Sequence, residues 1–130
     1  MHRFLEHVGE EFRFLVEEYG FTETKTEPTR VRYSSSDVII EVTYSDRGEV
    51  DVLIDENPPS HRFQFRLYLR LFYTAVEKGL GYGIAESEDA MARELKHLSN
   101  ALKRYGEPLL THDRGVFDRL RTVKWSEIPR

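Results

Sequence analysis

The 130-residue sequence has no cysteine. That excludes a disulfide framework, a thiolate metal site and a cysteine nucleophile, and makes a reducing cytoplasm the natural setting. Long apolar runs are missing as well: no stretch approaches a membrane span, and the opening MHRFLEHVGEEF carries acids where a secretory signal would be apolar. A soluble cytoplasmic protein is expected. Basic charge is short, 19 Lys and Arg against 23 Asp and Glu for a formal charge of −4. This balance argues against non-specific nucleic-acid binding and for a basic partner. No internal repeat or low-complexity segment appears, and the length suits one domain, residues 1–130, able to bury a core without staples.

What the chain does have is alternation. Over residues 37–55, DVIIEVTYSDRGEVDVLID, the residues Val38, Ile40, Val42 and Tyr44 alternate with Ile39, Glu41, Thr43 and Ser45. After Asp46-Arg47-Gly48 the pattern resumes with Val50, Val52 and Ile54. A three-residue turn with Gly48 left-handed sets Ser45 opposite Glu49, Tyr44 opposite Val50, Val42 opposite Val52 and Ile40 opposite Ile54. One face of this hairpin is apolar and must be covered. Upstream, residues 21–27 read as a polar edge strand guarded by Lys25, Pro28-Thr29 as a turn, and residues 30–33 as a strand with Val31 and Tyr33 inward. The sheet is then a four-stranded antiparallel meander. On its outer face the spacing brings Arg30 near Glu41 and Arg32 near Ile39 and Asp55, and leaves Glu49, Asp51 and Glu56 without a basic partner.

Residues 3–19 carry one apolar stripe, Phe4, Leu5, Val8, Phe12, Leu15, Val16 and Tyr19, and predict a helix closed by a left-handed Gly20. Phe14 falls opposite that stripe, among the charges. Residues 63–76 support two readings. Phe63, Phe65, Leu67, Leu69 and Leu71 alternate as in a strand; Leu67, Tyr68, Leu71, Phe72, Ala75 and Val76 repeat as in a helix. Length favours a helix over 66–78 with a narrow polar arc of Arg66, Arg70, Thr74 and Glu77, the main cover for the sheet, and leaves room for a fifth strand at 62–66. Gly79, Gly81 and Gly83 read as a linker. Ser87 caps a helix over 88–105 with Met91, Leu95, Leu98, Leu102 and Tyr105 inward, Gly106 ends it, and a short helix begins near Asp113. The fold class is α+β: an N-terminal helix, the meander, then about three helices over one sheet face.

Candidate chemistry is sparse. His2, His7, His61, His97 and His112 show no metal-ligand spacing, so no metal or other cofactor is assigned. His112-Asp113 could act as an acid-base pair, but Asp113 has a sufficient role as a helix cap. Ser34, Ser35 and Ser36 lie in a strand connection rather than a nucleophile elbow. The glycines at 79–83 run into Glu86, Glu88 and Asp89, whose charge would repel phosphate. Arg93, Lys96, Lys103 and Arg104 read as a solvated helix face rather than a nucleic-acid interface. No catalytic residue is assigned. Surface recognition is left: Glu49, Asp51, Asp55 and Glu56 along the sheet edge, with Glu10, Glu11, Glu17 and Glu18 on the first helix, form an acid surplus suited to steering a cationic partner. Phe14 and Trp125 are the candidate aromatic contacts.

Three stretches, Glu18-Tyr19-Gly20-Phe21, the hairpin at 37–55 and LKHLSNALKRYGEPLLTHDRGVFDRL at 95–120, resemble a loose group of small uncharacterised bacterial cytoplasmic proteins of α+β fold. Some of that group look like immunity proteins of toxin systems. The resemblance implies a non-enzymatic protein that masks a basic bacterial partner such as a toxin. It transfers no site residue. The alternatives are a homo-oligomeric accessory domain built on the surplus aromatics, or a small-ligand binder or enzyme using the open sheet face.

Overall fold

A computed structural model describes residues 3–80 and 84–129. His2, and Gly81 and Gly83 of the expected linker, lie outside the described residues. The chain is α+β, with N-terminal helices, an antiparallel sheet and then several helices.

The opening stripe forms two helices rather than one, α1 (Phe4–Glu11) and α2 (Arg13–Glu17). They part at Phe12, whose backbone sits at φ −105°, ψ 13°. The break resets the helical phase, so Phe14 turns inward, 8% exposed, and Val16 turns outward, 40% exposed. The expected exterior position of Phe14 is therefore corrected: its ring stacks on Phe12 and meets Tyr19 edge-on, and Lys103 Nζ lies 5.6 Å above it. Gly20, at φ +71°, ends α2 as expected. The Gly20 N–H donates to the Val16 carbonyl, the 5→1 bond of an αL cap, and the Phe21 N–H donates to the Leu15 carbonyl.

The sheet runs β1 (Thr22–Glu27), β2 (Arg30–Ser34), β3 (Val38–Tyr44), β4 (Val50–Glu56) and β5 (Phe63–Gln64), each antiparallel to the next in chain order. The expected meander thus gains a two-residue fifth strand. The central register is the one the alternation predicts, with Tyr44 opposite Val50, Val42 opposite Val52 and Ile40 opposite Ile54. Gly48, at φ +82°, holds the turn, and a Cβ there would come within 2.7 Å of the Ile84 side chain. The hairpin tip is tied to the chain ahead of the long helix: Ala85 N–H donates to Gly48 O, and the Tyr44 hydroxyl donates to Ala85 O at 2.6 Å.

Residues 63–76 are mainly helical: β5 takes only Phe63 and Gln64 of the expected 62–66, and helix α3 (Phe65–Phe72) follows directly, with Phe65, Leu67, Leu69 and Leu71 of the alternation inside it. Tyr73, at φ −143°, breaks the chain before α4 (Thr74–Leu80). The polar arc expected to face solvent is mostly internal. Arg66 and Glu77 are buried, whereas Phe72 and Tyr73 are 42% and 37% exposed. Arg66 reaches Glu94, and Arg70 reaches Glu77 at 3.0 Å, so ion pairs occupy the side of α3 assigned to water.

Helix α5 (Glu88–Tyr105) begins where its cap predicts, with Ser87 Oγ accepting from the Ala90 N–H. It packs on α1, α4 and β4 and buries Met91, Leu95, Leu98 and Leu102. A one-turn α6 (Glu107–Leu110) follows. Asp113 then caps α7 (Arg114–Thr122) by accepting from the Gly115 and Val116 N–H groups. A 3₁₀ turn, Trp125–Glu127, follows. Val31, Tyr33, Ile40, Val42, Val52 and Ile54, from one face of the sheet, join the helices' buried residues in one cluster, and Arg32, Ile39, Glu41, Thr43, Asp51, Leu53 and Asp55 take the other face.

Candidate functional site

Strand alternation puts Asp51, Leu53 and Asp55 on the open face, paired across to Thr43, Glu41 and Ile39. Two concave sites adjoin there. Leu53, which floors one, pairs with Gln64, which lines the other.

The first is a cleft of about 390 Å³ at the Asp51 end of β4, with Glu49, Asp51, Gln64, Arg66, Ile84 and Glu94 among its walls. The start of α3 and the middle of α5 close it against the strand. Three carboxylates face one guanidinium. Arg66 stands in the first turn of α3, where the helix dipole disfavours a cation, and Glu94 holds it at 3.4 Å. Asp51 shows the imbalance. Burial raises its pKa, Arg66 lowers it by less, and Glu49 raises it again, so the carboxyl ends above its ordinary 3.8. Ile84, 57% exposed, gives the rim an apolar contact. Of the four acids predicted on the sheet edge, only Glu49 and Asp51 meet here.

Asp55 and Glu56 serve the fold instead. Asp55 Oδ1 accepts from the Glu56, Ser60 and His61 N–H groups at 2.7, 3.1 and 3.0 Å, shaping the loop between β4 and β5. The Ser60 hydroxyl also donates to Glu56. Glu56, expected to lack a basic partner, has two: His112 Nε2 lies 2.7 Å from Oε2, and Arg121 donates to Oε1. Led by the His112 hydrogen bond, these contacts hold the Glu56 carboxyl down at about 2, against an ordinary 4.5. The pair fastens the C-terminal helices to the sheet. It also uses His112 in a way the His112-Asp113 reading did not foresee, because the partner is remote in sequence.

The second site lies around Glu41, mid-strand in β3. Arg30 approaches it at 3.6 Å, Arg32 at 3.3 Å and Arg62 at 3.8 Å. The Arg30 contact is the one the spacing predicts. Arg32, expected near Ile39, pairs directly with Glu41 because the β2–β3 register sets Ser34, not Arg32, opposite Ile39. Arg62 arrives from the loop before β5 and has no sequence signal. Beside Glu41 is a cup of about 320 Å³ whose walls include Arg32, Arg62, Asp55 and Pro59, with Ile39 and Leu53 beneath.

The remaining candidates separate. Trp125 is 84% exposed on the C-terminal turn, apart from both sites. The acids of the first helices are partly spent: Glu18 pairs with Lys103, Glu17 with Arg13, and Glu11 accepts from Ser99. Among the described residues no group of three or more His, Asp or Glu is arranged to hold a metal, and no helix is long and apolar enough to cross a membrane. No family model, curated protein or solved structure matches the chain.

Proposed function

We propose that this is a non-enzymatic binding protein that masks a basic partner protein, in the manner of an immunity or inhibitor protein of a bacterial toxin, through the cleft at the Asp51 end of β4. One observation carries the reading. Asp51 is a partly desolvated carboxylate beside Glu49 and Glu94, with a single guanidinium already committed to Glu94. A lysine or arginine entering this concave site supplies the missing counter-charge, and Ile84 can cover its aliphatic stem. A chain without cysteine suits the bacterial cytoplasm in which such a protein would act.

The test is a tagged pull-down at low and moderate salt, comparing wild type with the Glu49→Lys/Asp51→Lys double variant. A single stoichiometric basic protein, held by wild type, weakened by salt and lost from the variant, is the expected result. Equal recovery by both proteins sinks the cleft as the docking site.

A second reading rests on a different surface. Phe72 and Tyr73 are exposed where α3 meets α4, with Tyr73 5.9 Å from Tyr68 and 4.8 Å from Tyr105 between ring centres. An aromatic group of this kind suits an isologous contact between two copies. A monomeric mass by sedimentation at high micromolar concentration would eliminate it.

A further inference from the structure

The cup on the open sheet face is lined by Arg32 and Arg62 beside Glu41 and Asp55, and Arg30 brings a third guanidinium to Glu41. Glu41 is 5% exposed, and three guanidiniums bend over it from β2 and from the loop before β5. Only Arg32 comes within hydrogen-bond range, at 3.3 Å. A guanidinium carries five N–H donors. Among the described residues none of these three arginines pairs with another carboxylate, so most of their donors are unspent. The arginine side chains remain 37%, 46% and 57% exposed. Glu41 thus acts as a fixed internal counter-charge: it offsets the mutual repulsion of three like charges and holds them convergent while leaving them in excess. Asp55 on the wall keeps its negative charge, with Oδ1 turned to three backbone N–H groups, so the three guanidiniums exceed the two carboxylates by one.

We propose that this cup binds an oxyanion of the phosphate-monoester class. A tetrahedral dianion takes donors from several directions at once, as guanidiniums arriving from separate segments demand. A carboxylate offers two acceptor oxygens in one plane, where a phosphate monoester offers three that are not coplanar with their phosphorus. Ile39, Leu53 and Pro59 provide the apolar surface against which the ester's carbon group rests. The site is independent of the acidic cleft and of the masking function.

The experiment is a titration of the ¹⁵N-labelled full chain with inorganic phosphate and with methyl phosphate at pH 7.5, following the arginine Nε–H and backbone amide signals. Sodium chloride at matched ionic strength and succinate, a flexible dicarboxylate, are the references. Saturable shifts are expected at Arg32, Arg62 and the amides of β2 and β3, at least about fivefold weaker for succinate, with methyl phosphate at least as tight as phosphate. Arg62→Gln, in an exposed loop, should keep the folded spectrum and weaken binding about tenfold. The Glu49→Lys/Asp51→Lys variant should leave it unchanged, which separates this site from the cleft. Shifts that merely follow chloride, equal binding of succinate, or full binding by Arg62→Gln would each overturn the proposal.

Discussion

Asp51 and Glu56 stand near opposite ends of β4, both acids of the predicted edge, and their surroundings drive them in opposite directions. At the Glu56 end, His112, Arg121 and Ser60 converge on the carboxylate and hold its pKa at about 2. At the Asp51 end, burial exceeds the pull of Arg66, and the pKa rises. Between them on β3, Glu41 has three arginines to itself. Acidity in the sequence therefore says little about surface potential. What counts is which cations the fold delivers to each carboxylate, and Asp51 is the one left undersupplied.

The largest expected effect comes from removing Arg66, the one guanidinium among the described residues of the cleft. Arg66→Met leaves Glu94 and Asp51 without their shared counter-charge in a partly desolvated cleft and should cost about 3 kcal/mol, read by urea denaturation at pH 7. Adding Glu94→Gln should recover part of that loss, and the double-mutant cycle isolates the coupling. Next comes the centre of the sheet: Glu41→Gln releases three guanidiniums onto one another. Because they are partly solvated, the cost should be nearer 2 kcal/mol, and it should shrink as salt is raised.

Smaller effects come from the two ends of β4. His112→Leu removes the main partner of Glu56 and should cost about 1.5 kcal/mol at neutral pH. The sign follows from linkage. A carboxyl whose folded pKa lies below its unfolded value stabilises fully above the unfolded value, and the contribution is lost as pH falls from about 4.5 through 2. The gap between wild type and His112→Leu in urea midpoint should therefore close on acidification across that window. Asp51 behaves in reverse. Its raised pKa gives a contribution fully present below 3.8 and lost as pH rises through the folded value. Asp51→Asn should accordingly stabilise at pH 7, by no more than about 0.5 kcal/mol after solvent screening, and the gain should vanish at low pH. Destabilisation at pH 7 would mean that Asp51 is satisfied after all, and would remove the support for a cationic partner.

Much of the fold was legible because its signals are local. Alternation sets which residues of the hairpin share a face, Gly48 sets its turn, and Ser87 and Asp113 act within their own helix starts, so the β3–β4 register and the ends of α5 and α7 follow from neighbours in sequence. The first helix misled for a reason equally local in scale: a phase carried through Phe12 assumes an unbroken helix, and one off-helix residue moves Phe14 into the core and Val16 out. Trp125, a candidate aromatic contact, is 84% exposed.

The candidate sites were legible only in part, and the division follows chain separation. Glu49 and Asp51 were marked by their place on the strand, and the Arg30–Glu41 contact by adjacent strands. Arg66 was visible as a polar position in an apolar segment, but its direction depends on where α5 brings Glu94. Arg62, His112 and Arg121 reach their acids from loops and helices whose placement no local pattern encodes. The sequence by itself determined the strands of the meander, the β3–β4 register and the apolar face that had to be covered, because those rest on periodicity and turn chemistry between neighbours. Only the tertiary structure decided which carboxylates are neutralised, because a Coulomb interaction depends on distance in space and on burial, and both are set by how the closing helices pack against the sheet.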